Sequence, residues 1–263
     1  MFLISVFLVN LIYSIDASSA GEHTGVLKHA PTVESSYCDA EANWQILFDG
    51  ANLDHWELSA DGPASWIDKI AFWRPERPYG GWRIDEQGSL HRSSTAGDLR
   101  TRETFDNFEL RLQWRISPGG NSGIKMRVAD EHGRPANTGF EMQILDNELH
   151  ADGANSLTSV GALYGLYPAH EATPVLKAGE WNTVHIRVRG RSILFHLNGV
   201  QTVSAEIGSQ DWLERLSKSP QRKRVSEQFA QHTRGHILLQ DHFDDVWFRG
   251  IAICELSSSA QSP

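Results

Sequence analysis

Helical periodicity, positive charge and cysteine are all scarce in this sequence, and so are the short motifs that mark common catalytic classes. There is no Ser/His/Asp nucleophile elbow, no phosphate-binding glycine loop and no H-E-x-x-H helix, which sets aside the chemistries those motifs perform. The twelve His are scattered, without the tight spacing of a metal-ligand pair. A formal charge of −9 provides no overall field to draw in nucleic acid. The one basic cluster, SKSPQRKR at residues 217–224, is short, lacks interleaved aromatics and reads as a solvated loop. The two cysteines, Cys38 and Cys254, flank the folded part of the chain. In an exported protein they join its first and last segments as a disulfide; otherwise they stay as two thiols.

What is present is globular. The 263 residues suffice for one large domain or two small ones, and 40% are apolar. Nine Trp are many for this length and serve either as core anchors or as platforms for sugar stacking, the core being the ordinary fate. Residues 1–20, MFLISVFLVNLIYSIDASSA, carry an apolar run and then small residues. The run is short for a membrane span and reads as a secretion signal, although no Lys or Arg precedes it. Residues 21–42 have no periodicity and read as a linker. The folded domain is expected over residues 43–256, with a short tail at 257–263. The mature chain is then a secreted or periplasmic protein with no membrane span.

From Trp44 onward the pattern is two-residue alternation bounded by turns, the signature of half-buried antiparallel strands. In FELRLQWRI, Phe108, Leu110, Leu112, Trp114 and Ile116 share one face, and Glu109, Arg111, Gln113 and Arg115 share a face expected to be solvated. The tract SPGGNSG then turns the chain into GIKMRV, so the two strands read as a hairpin, with Val128 inside beside Ile124 and Met126. GFEMQIL gives a third strand, WNTVHIRVRGRSILFHLNGVQTV two or three more, and HILLQDH and VWFRGIAI the last pair. SQDWLERLS is the one clear helix, with Ser209 as N-cap, Trp212, Leu213 and Leu216 on one side, and Pro220 as its stop. Many short strands with one or two short helices describe an all-β fold, a β-sandwich or jelly roll of two antiparallel sheets.

The outer faces of three segments carry more than solvation asks for. NSGIKMRV, GFEMQILD and LLQDH set polar and titratable groups beside small residues that let a ligand approach the backbone. If these strands share a sheet, Asn121, Lys125, Arg127, Glu141, Gln143, Gln240 and His242 form a polar floor. Such a set of carboxylate, imidazole, carboxamides and cations suits acid/base work on a polyol. Asp146 is the second carboxylate nearby, but it stands five residues from Glu141 and falls on the opposite side of an unbroken strand. A retaining glycosidase needs both carboxyls on one face about 5–5.5 Å apart, so without a β-bulge Asp146 reads as a supporting residue that orients His242 or a metal.

Seven motifs in order, WQILFDGANLDHW, GWRIDEQGSLHR, LRTRETFDNFELRLQWRISPGGNSGIKMRV, GFEMQILDN, VGALYGLYP, GEWNTVHIRVRGRSILFHLNG and GHILLQDHFDDVWFRGIAI, closely resemble the 3-keto-disaccharide hydrolase domain family. The resemblance runs from Trp44 to Ile253. It implies a concanavalin-like lectin/glucanase sandwich in an exported protein whose carbohydrate substrate is a glycoside already oxidised to the ketone at C3. One local departure is Phe243, which stands after His242 where the family usually has Gly. Another is the aromatic-rich stretch at residues 61–80, with Trp66, Phe72, Trp73 and Tyr79, expected to cover a pocket.

A C3 ketone acidifies the C2 proton, so one base, one stabiliser of enolate charge and one acid suffice for elimination, with water added afterwards. The resemblance implies Glu141 or His242 as the base and Lys125 or Arg127 as the charge stabiliser. It leaves Asn121, Gln143, Gln240 and Tyr164 to hold the substrate. A divalent metal bound by part of this set is an alternative Lewis acid. A non-catalytic carbohydrate-binding module and a two-carboxylate glucanase remain competing readings.

Overall fold

The computed structural model describes residue 38 and residues 43–59, 81–93, 97–130, 135–175 and 177–257. The expected signal segment, nearly all of the linker, the aromatic-rich stretch at 61–80 and nearly all of the tail lie outside the described residues. Within them, thirteen strands run in chain order: β1 Gln45–Phe48, β2 Trp56–Leu58, β3 Trp82–Ile84, β4 Leu90–Arg92, β5 Leu99–Thr101, β6 Phe108–Ile116, β7 Asn121–Val128, β8 Phe140–Leu145, β9 Asn182–Arg189, β10 Ser192–Leu197, β11 Val200–Glu206, β12 His236–Leu239 and β13 Val246–Glu255. One α-helix, α1, spans Gln210–Lys218.

The strands form two antiparallel sheets. The larger has the order β11-β10-β9-β6-β13-β4-β3, with β1 also paired to β13, and the smaller has the order β2-β5-β12-β7-β8. Their facing sides share one core, to which β6 contributes Phe108, Leu110, Leu112, Trp114 and Ile116, and β7 and β8 contribute Ile124, Met126, Phe140, Met142 and Ile144. The alternation read in the sequence is therefore the alternation of core and outer face, and this is the expected sandwich.

Four local expectations change. β6 and β7 are not a hairpin: β6 pairs with β9 and β13, and β7 with β8 and β12, so the SPGG turn carries the chain from one sheet to the other. The outer face of β6 is not all solvated, because Glu109 is fully buried and meets Arg187 at 2.9 Å and His185 at 3.3 Å. Val128 leaves the main core and packs with Ala136 and Leu238 in a small cluster of its own. Leu213 on α1 is 53% exposed while Trp212 is buried, although the helix starts at the Ser209 cap, whose hydroxyl accepts from the Trp212 N–H at 3.1 Å.

Cys38 and Cys254 form a disulfide that closes 216 residues of chain. Loop closure on that scale disfavours the unfolded chain by about 5 kcal/mol. No helix among the described residues is long and apolar enough to cross a membrane.

Candidate active site

β7 is buried along its whole length although it carries Asn121, Ser122, Lys125 and Arg127. Its inner side is covered by the core and its outer side faces a cavity of about 740 Å³, a size suited to a small sugar. The floor is Asn121, Lys125, Glu141, Gln143 and Gln240. The walls come from Ala136, Asn137 and Gly139 before β8, from Tyr164, and from Gln221, Lys223, Arg224, Val225 and Phe229 after α1, with His242 in the turn after β12.

Register explains the floor. β7 and β8 pair with Lys125 opposite Glu141 and Gly123 opposite Gln143, which puts these side chains on one surface. The Glu141 carboxylate lies back over Gly123, where an added Cβ would stand 2.1 Å from Oε1, so any larger residue at 123 would take the space the carboxylate occupies. Lys125 Nζ is 3.5 Å from Glu141 Oε2 and lies 3.4 Å from the Ala136 carbonyl. The Gln143 amide, in the orientation that satisfies both its atoms, donates to Glu141 Oε1 at 3.2 Å and to the Ser122 carbonyl at 3.3 Å. Burial pushes the Glu141 carboxyl above the usual range, against the opposing pull of Lys125 and His242. A carboxyl of raised proton affinity beside a fixed ammonium is what a general base at a carbon acid needs.

β8 is the edge of its sheet, and the segment containing Gly161 and Tyr164 binds along it. Gly161 N–H donates to the Gln143 carbonyl at 2.9 Å and Tyr164 N–H to the Glu141 carbonyl at 3.0 Å. This backbone pairing brings Tyr164 into the cavity wall. Its phenol is pushed up mainly by burial and also by Asp152 and Glu141. On the other side, Gln240 N–H donates to the Gly123 carbonyl at 2.9 Å, and the Gln240 carbonyl accepts from Ser122 Oγ at 2.9 Å. The turn after it is fixed by Asp241, which pairs with Arg92 at 2.6 Å and accepts from Gly97 N–H at 2.8 Å and Phe243 N–H at 3.0 Å. His242 thus has an anchored backbone and an exposed ring at the cavity edge.

Arg127, placed on the floor by alternation, and Asp146, read as a supporting residue, both stand elsewhere. Between Lys125 and Val128 the pairing with β12 slips, β7 using three steps where β12 uses two, and Arg127 takes a positive φ of 54° at this bulge. The bulge turns Arg127 off the floor, and its guanidinium donates to the Gly190 carbonyl at 2.8 Å and the Asp106 carbonyl at 3.0 Å. Asp146 orients neither His242 nor a metal donor set. Its carboxylate accepts from Gly119 N–H at 2.7 Å and Glu148 N–H at 3.1 Å, closing the turns that lead into β7 and out of β8.

Glu141 is the only carboxylate lining the cavity among the described residues. Among the described residues no group of three or more His, Cys, Asp or Glu side chains is arranged to hold a metal ion. Sequence reasoning missed the wall from residues 221–229. Its signal was the SKSPQRKR cluster, read as a solvated loop, of which Gln221, Lys223 and Arg224 line the cavity.

Comparison with known proteins agrees with the architecture. The chain is 28% identical over 258 residues to the 3-keto-disaccharide hydrolase of Bacteroides thetaiotaomicron, a match covering 84% of this chain and 88% of that protein. Two crystal structures described as glycosyl hydrolases of Parabacteroides distasonis share the fold. One has a TM-score of 0.69 at 24% identity, covering 82% of this chain and 95% of the other. The second has a TM-score of 0.60 at 26% identity, covering 81% and 99%. The model of the 3-keto-alpha-glucoside-1,2-lyase-like domain matches residues 43–254, and the chain belongs to that family.

Proposed function

We propose that this protein cleaves 3-keto-glycosides by elimination across C1–C2 followed by addition of water. One observation carries the reading: Glu141, the one carboxylate lining the cavity among the described residues, largely buried and of raised proton affinity, lies 3.5 Å from a lysine ammonium on the floor of a sugar-sized cavity. The name of the Bacteroides thetaiotaomicron relative supports the substrate class.

Glu141 takes the C2 proton, and the C2–H electron pair moves into an enolate whose charge on the C3 oxygen is met by Lys125. The enolate returns its pair to form C1=C2 while the C1–O bond breaks. His242, at the cavity edge, supplies the proton to the leaving oxygen. Water then adds to C1, its proton passes to His242, and Glu141, having exchanged its proton with solvent at the intermediate, protonates C2. The products are the free 3-keto sugar and the released alcohol. Asn121, Gln143 and Gln240 hold hydroxyls, with Tyr164 at the wall. A two-carboxylate mechanism has no support in a cavity where Asp146 is spent on turn N–H groups. A binding module has no use for a carboxyl held at raised proton affinity. Action outside the cytoplasm fits the disulfide and the apolar start of the chain.

The test is sugar release from a 3-keto-glucoside and from its unoxidised parent, run in D₂O. Cleavage of the keto form alone, with deuterium at C2 of the product, is expected, and Glu141→Gln and His242→Ala are each expected to lose about a hundredfold or more. Equal cleavage of the parent would sink the mechanism.

A further inference from the structure

The chain carries a formal charge of −9, yet among the described residues its cavity is lined by three permanent cations, Lys125, Lys223 and Arg224, against the one carboxylate of Glu141. Lys125 is committed to Glu141. The side chains of Lys223 and Arg224 have no hydrogen-bond or ion-pair partner among the described residues, whereas Arg92, Arg100, Arg187 and Arg215 each meet a carboxylate. Arg224 acts on the phenol of Tyr164, in the cavity wall.

The segment that presents them is held in place. Ser219 Oγ accepts from Gln221 N–H at 3.1 Å, Arg224 N–H donates to the Gln221 carbonyl at 2.7 Å, and Ser226 N–H ties the segment to the Asn137 carbonyl at 3.1 Å. Gln221 lies so close over Gly165 that an added Cβ there would stand 2.3 Å from its Cγ, and its amide hydrogen-bonds Tyr164. Two exposed cations whose side chains are unpaired, on an anchored wall lining a concave site of an acidic protein, make an anion-recognition element.

We propose that the sugar bound here carries an anionic substituent, a carboxylate or a sulfate ester, on a part of the substrate remote from C1–C3, and that Lys223 and Arg224 hold it. This deepens the proposed 3-keto-glycoside activity and takes its substrate frame from that reading, but its test is made by binding. Calorimetry on the full-length Glu141→Gln protein compares three disaccharides: a neutral glucoside, its C6-carboxylate and its C6-sulfate. At least one acidic ligand is expected to bind about tenfold or more tighter than the neutral one, with a preference that shrinks as salt is raised. A gain for one acidic ligand alone identifies the substituent. Adding Lys223→Gln and Arg224→Gln is expected to abolish the preference while leaving neutral-sugar binding and Tm unchanged. Equal affinity for all three sugars, or a preference that survives the double replacement, overturns the proposal. Acidic preference without turnover of any 3-keto substrate would remove the catalytic reading and leave this one standing.

Discussion

Gly123→Ala offers a direct test of whether the Glu141 carboxylate works from where it lies. An alanine Cβ at position 123 would come within 2.1 Å of Glu141 Oε1, 2.7 Å of Cδ and 3.0 Å of Cγ. Restoring an ordinary contact moves the carboxylate by about 1 Å, and a misplacement of that size at a reacting group lowers the rate about a hundredfold. Gly123 does not use the left-handed region, so the backbone accepts alanine without strain. Because the clash falls on the far end of a flexible side chain, the fold gives way at Glu141 and not at β7. Alanine also lowers the entropy lost on folding, by roughly 0.5–1 kcal/mol relative to glycine in a strand. The variant is therefore expected to keep or slightly raise Tm while kcat on a 3-keto-glucoside falls about a hundredfold. The assay pairs thermal unfolding with steady-state kinetics. A kcat within threefold of wild type at unchanged Tm would refute the placement of the base.

Activity should also report the raised proton affinity of Glu141. As a base it must be ionised, so kcat/KM is expected to rise with pH through an acid limb whose midpoint lies above the usual 4.5, and a midpoint at or below it removes Glu141 from that role. For stability the sign is opposite: a raised native-state value favours folding below the unfolded value and loses that contribution as pH rises, so Glu141→Gln should gain on wild type toward neutral pH in denaturant titrations. Arg127→Ala should lower stability by roughly 2–3 kcal/mol through its lost bonds to the Asp106 and Gly190 carbonyls, with kcat nearly unchanged. A selective fall in kcat would return Arg127 to the site. Phe243 holds a φ of +71°. Relief of about 1–2 kcal/mol of strain, less the added entropy of glycine, should make Phe243→Gly more stable by roughly 0.5–1 kcal/mol, while Phe243→Ala gains nothing. Equal unfolding midpoints for the two variants would contradict the strain.

The sequence by itself determined the alternation of FELRLQWRI and GFEMQIL, and with it which side chains face the core. Burial of every second residue is forced once a strand has one apolar face. It also placed Lys125, Glu141, Gln143, Gln240 and His242 in one neighbourhood, because three segments with polar outer faces and small residues stood out against ordinary strands. It did not determine pairing. Whether SPGG closes a hairpin or passes the chain between sheets depends on the strands waiting on either side, and β7 found β8 and β12. Parity failed at Arg127 because a bulge is invisible to a two-residue period, and Asp146 was needed by turn N–H groups no periodicity displays. The cationic wall belongs to the tertiary structure alone. SKSPQRKR stays largely solvated in the structure, yet becomes the side of a cavity because the chain after α1 folds back over β7 and β8, bringing residues about eighty positions from Glu141 to the same cavity.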